Sequence, residues 1–79
     1  MATADDELRR MAEFEALAEE AYDDMYKTLH PIGPYSGFKE FFAVAIGAAK
    51  RAGRPDEAAR LTKRLEHCRE VYRKQFSSF

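Results

Sequence analysis

The sequence predicts an all-α protein, a small three-helix bundle of up-down-up topology formed by residues 1–79 as one domain. Two observations carry that expectation. Apolar residues recur at steps of three and four through nearly the whole chain, the spacing that lines one face of an α-helix. The pattern is interrupted twice, at Pro31-Ile32-Gly33-Pro34 and at Gly53-Arg54-Pro55, where proline removes backbone donors and glycine permits turns. Helices are therefore expected at residues 5–29, 36–52 and 55–76. Short connections make consecutive helices antiparallel, so the first and third run parallel as neighbours.

The first helix is expected to start after Thr3 or Asp5, with Asp5, Asp6 and Glu7 at the positive end of its dipole. Met11, Phe14, Leu17, Ala18, Ala21, Tyr22, Met25 and Leu29 share one face, while Glu13, Glu20, Asp24 and Lys27 take the other. At about 1.5 Å per residue the helix spans about 38 Å, more than its neighbours. Its first two turns are expected to overhang the core and to leave Leu8, Met11 and Phe14 uncovered.

The segment His30 to Gly37 holds two prolines and two glycines and reads as a firm stop. Ser36 can cap the next helix, whose inward face carries Phe38, Phe41, Phe42, Ala45, Ala48, Ala49 and Ala52. Large residues cluster at its start and small ones at its end, so neighbouring helices approach more closely near Ala48 and Ala49. Val44 and Ile46 edge this stripe, and Ala43 with Gly47 forms a shallow patch on the outer strip. Gly53 fits the left-handed position that ends a helix, and Pro55 fits the first turn of the next, followed by Asp56 and Glu57. In the third helix Ala58, Leu61, Leu65, Cys68, Tyr72 and Phe76 form an apolar seam two heptads long, one side of a bundle rather than a sustained coiled coil. Leu65 is expected in the core, where truncation to alanine costs on the order of 2–5 kcal/mol.

The stretch from Ala48 to Ala59, with Gly53 closing one helix and Ala58 opening the packing face of the next, resembles the turn of a tetratricopeptide repeat. The resemblance implies a helical hairpin and a binding role. Thr62 stands where that family has an aromatic residue and Ala49 where it has tyrosine, and the chain carries no second copy, whereas such arrays need about three.

Of the residues, 34% are charged and 46% hydrophobic, the balance of a soluble globular protein with no membrane association expected. Residues 1–29 hold nine acids against three bases, and residues 54–79 seven bases against four acids. The simplest account is that the first and last helices lie side by side and their charges answer each other. The acidic N-terminal stretch is unlike a secretory signal, and the single cysteine suits a reducing cytoplasm. Abundant alanine and arginine fit a bacterial source.

No catalytic constellation, cofactor or metal site is expected. His67 and Cys68 are adjacent and point about 100° apart on a helix, Cys68 lies in the seam, and the ladder Glu15, Glu19, Asp23 reads as a solvated face or a partner for basic residues. The chain is thus expected not to be an enzyme but a protein–protein interaction or self-association module, a homodimer through the overhanging Leu8, Met11 and Phe14, with Tyr22, Tyr26, His30 and Tyr35 around the proline-rich turn as a further part of the interaction surface. The alternative is a nucleic-acid-associated regulator using Arg60, Lys63, Arg64, Arg69, Arg73 and Lys74. Nucleic acid is not the preferred partner, since the chain as a whole is not basic.

Overall fold

A computed structural model describes residues 3–27 and 32–76, with side chains at 3–25, 27 and 37–74. Three helices follow one another: α1 (Ala4–Lys27), α2 (Ile32–Arg51) and α3 (Pro55–Phe76). They pack as an up-down-up bundle whose Cα atoms extend 46 × 18 × 13 Å.

Thr3 starts α1. Its hydroxyl accepts a bond from the Asp6 backbone N–H at 3.2 Å, and Asp6 Oδ2 accepts one from the Thr3 N–H at 3.2 Å, a reciprocal cap that satisfies two otherwise orphan donors. These bonds from Thr3 hold the Asp6 carboxyl below its ordinary range. The expected last residues of this helix, Thr28 and Leu29, lie outside the described residues.

Helix α2 starts at Ile32, four residues before the expected Ser36. Pro34 falls in the first turn, where backbone N–H groups have no intrahelical acceptor, so its missing donor costs nothing. Proline also crowds the Cβ of the residue before it, but here that residue is Gly33. Gly37 is likewise helical rather than part of the stop, and a Cβ at this position would stand 3.8 Å from Ala21 Cβ.

The α2–α3 turn matches expectation. Gly53 has φ +73°, its N–H bonds to the Lys50 carbonyl at 3.0 Å, and the Arg54 N–H bonds to the Ala49 carbonyl at 2.9 Å. This paired closure returns the chain onto α2 and leaves Pro55 to open α3.

Helix α2 is the central element and packs more extensively on α1 than on α3. Phe38, Phe42, Ala45, Ala48 and Ala49 are fully buried, together with Ala18 and Met25 of α1 and Leu61 and Cys68 of α3. The phenylalanines meet edge to face at 6.2 Å, and Tyr22 meets Phe38 the same way at 5.9 Å, a favoured arrangement of ring quadrupoles. The pairs Tyr22–Phe38, Phe14–Phe41 and Glu7–Arg51 step in opposite directions along the two chains, so α1 and α2 are antiparallel.

Three expectations are corrected by this packing. Because the first turns of α1 lie against the later turns of α2, with Phe14 on Phe41 and Glu7 on Arg51, the overhang does not exist: Met11 is 9% exposed, and Leu8 and Phe14 pack against the core. Leu17, assigned to the buried face, is 41% exposed, since it lies about 100° around the helix from Ala18, on the buried line of Met11, Ala18 and Met25. The patch at Gly47 is filled, because the Arg51 guanidinium lies over it, 3.3 Å from where a Cβ would stand, on its way to Glu7 Oε2 at 2.9 Å.

In α3, Leu61 is fully buried whereas Leu65 is half-buried. Leu61→Ala is therefore expected to cost about 2–5 kcal/mol and Leu65→Ala distinctly less. Urea unfolding of both variants checks the order; equal losses would place Leu65 as deep as Leu61.

Candidate interaction surface

Helices α1 and α3 approach each other least closely of the three pairs, and long side chains span the gap. Arg60 Nη1 donates to Glu15 Oε2 at 2.7 Å and Arg60 Nη2 to Glu15 Oε1 at 3.0 Å. One turn on, Arg64 Nε donates to Glu19 Oε2 and Arg64 Nη2 to Glu19 Oε1, both at 2.7 Å. The offset is 45 residues in both pairs, so α1 and α3 run parallel. Two-pronged arginine–carboxylate contacts hold both partners in orientation. Arg60 also reaches Glu57 Oε2 at 2.6 Å, and the Arg64 guanidinium lies 5.1 Å from the Tyr22 ring centroid. The Arg60 hydrogen bonds hold the Glu15 carboxyl below its ordinary range. Being half-exposed, each bridge contributes at most about 1 kcal/mol.

This seam accounts for much of the uneven charge. Glu15 and Glu19 face α3, while Asp23 pairs with Lys27 at 2.7 Å, so the carboxylate ladder is divided among three cations. Two members of the basic set on α3, Arg60 and Arg64, are held by acids of the same chain. Among the described residues no group of three or more His, Cys, Asp or Glu side chains is placed to hold a metal. Every buried side-chain nitrogen or oxygen among them has a hydrogen-bond partner, and no helix is long and apolar enough to cross a membrane.

Of the residues expected to form an interaction surface, Met11 is buried in the core, Leu8 and Phe14 pack against it, and Tyr22 is wedged between Phe38 and Arg64. The side chains of Tyr26 and Tyr35, and all of His30, lie outside the described residues. Two surface features carry no signal in the sequence pattern. On the outer side of α1, Leu17 stands among exposed Arg10, Glu13, Glu20 and Asp24. Between the end of α2 and the start of α3 runs an open groove of about 480 Å³ over Pro55, Ala59 and Thr62, rimmed by Lys50 and Lys63 and ending at Glu66. The Thr62 hydroxyl donates to the Ala58 carbonyl at 2.8 Å, which leaves the floor apolar. No described carboxylate forms an ion pair with Lys50 or Lys63.

Cys68 is fully buried, and burial pushes its thiol up to about 11 against the lowering effect of nearby Arg64. The thiolate is the reactive form, so iodoacetamide at about pH 8 is expected to alkylate the folded protein at least about tenfold more slowly than the urea-unfolded chain. Equal rates would place Cys68 at the surface. Comparison with protein-family models, with characterised proteins and with solved structures finds no match for the chain.

Proposed function

We propose that the protein is a non-enzymatic interaction module whose first partner is a second copy of itself. The observation that carries this reading is the pairing of an uncovered apolar side chain, Leu17, with an open apolar groove on a bundle whose other large apolar side chains, among those described, are buried or half-buried. A domain of this length has limited core area of its own, and association adds to it. The resemblance of the α2–α3 turn to a tetratricopeptide hairpin points the same way, and the buried thiol suits a reducing cytoplasm.

The symmetric contact through Leu8, Met11 and Phe14 loses its basis, since α2 of the same chain covers these residues. The nucleic-acid reading is weakened because phosphate would compete with Glu15 and Glu19 for Arg60 and Arg64. Sedimentation equilibrium from micromolar to millimolar concentration is expected to give a mass that rises above the 9.1 kDa of one chain. A constant 9.1 kDa throughout overturns self-association.

A further inference from the structure

We propose that copies of this chain associate head to tail, the outer face of α1 in one copy seating Leu17 in the α2–α3 groove of the next. This rests on the self-association reading and specifies its geometry. The two surfaces are complementary in polarity and charge. Leu17 is apolar and exposed, with Glu13 one turn before it and Glu20 one turn after it on the same face. The groove is apolar along its floor, with Lys50 and Lys63 at its rim. Like on like is disfavoured: two α1 faces would bring glutamates together, and two grooves would bring lysines together.

One register matches the strip from Arg10 to Leu17. With α1 of the incoming copy antiparallel to α3 of the receiving copy, Arg10 meets Glu66, Glu13 meets Lys63 and Leu17 lies over Ala59, and the next step brings Glu20 beside Asp56, whose charge is already answered by Arg54 at 3.1 Å. Each step along α1 is matched by a step of similar length along α3, because both helices rise equally per residue. Glu66, which would repel an acidic strip, then faces its one exposed arginine. None of the groove residues belongs to α1, so each copy presents two different patches and the contact is heterologous. Such contacts propagate into open chains or rings.

Two variants test this, Leu17→Asp, which spoils the face, and Lys50→Glu with Lys63→Glu, which spoils the groove. All three positions are exposed, so the helical circular dichroism should be retained. Each variant alone is expected to stay at 9.1 kDa where the wild type associates. Their equimolar mixture is expected to form a one-to-one species of twice that mass and nothing larger, since only one intact face and one intact groove remain between the two. Wild-type-like association by either variant, or a mixture that stays monomeric while the wild type associates, overturns the head-to-tail geometry and leaves self-association standing. A wild type that is monomeric at every concentration overturns both.

Discussion

The taper of α2 is the constraint on which the rest of the structure depends. Two phenylalanines, Phe38 and Phe42, fill one end of the core, and three alanines, Ala45, Ala48 and Ala49, occupy the other, all without exposure to solvent. A buried alanine presents only a methyl group, so interior packing density is reached there only if the neighbouring backbones come close. Ala58, at the start of α3, is the matching small residue on that side, whereas the register of Tyr22–Phe38, Phe14–Phe41 and Glu7–Arg51 sets Ala18 level with the rings and Met11 level with the alanines. Interior packing density therefore requires α3 to lie close to α2 where the methyls lie. The same close end brings Arg51 across Gly47 to the nearly buried Glu7, which is 8% exposed. That ion pair ties the first turns of α1 to the last turn of α2.

With α2 shared by both neighbours, α1 and α3 pack on each other the least of the three pairs. Arginine is long enough to span between them, and its planar fork grips a carboxylate in a fixed orientation. Arg60 with Glu15 and Arg64 with Glu19 therefore fix the parallel register of the outer helices rather than supply much stability. They also decide what remains for a partner. With Glu15 and Glu19 turned inward, Glu13, Glu20 and Asp24 are the acids left on the outer side of α1. With Arg60 and Arg64 engaged, Lys50 and Lys63 remain to rim the groove. The division of charge between the two ends of the sequence is in part an internal bond and in part a pair of opposed surfaces.

Much of the fold was legible in one dimension. The step of three and four marked the three helices, the Gly53-Arg54-Pro55 signal marked the second turn, and the placement of Phe38, Phe42 and Cys68 in the core followed from spacing. The start of α2 did not, because Pro34 in a first turn preceded by glycine obeys different sterics from proline in a helix interior. Leu17 was misassigned because a stripe read by steps of three and four is wider than the face that α2 and α3 cover. Leu61 and Leu65 share the seam, and their different depth comes from the packing of α3 on its neighbours, which spacing along one helix does not carry. The groove could not be read from the sequence at all: Lys50 belongs to one helix and Pro55, Ala59 and Lys63 to the next, so it exists only once the hairpin has closed.

Replacing Ala48 by leucine tests the central claim most directly. Leucine and alanine both favour the helix, so a change in stability reports packing alone. If the close approach of the helices at this end is fixed by buried methyls, Ala48→Leu forces displaced rotamers and backbone shifts and lowers the unfolding free energy by about 1–3 kcal/mol in a urea titration. An unchanged or raised midpoint would mean that the helices can spread at no cost, and that the taper of α2 does not set their positions.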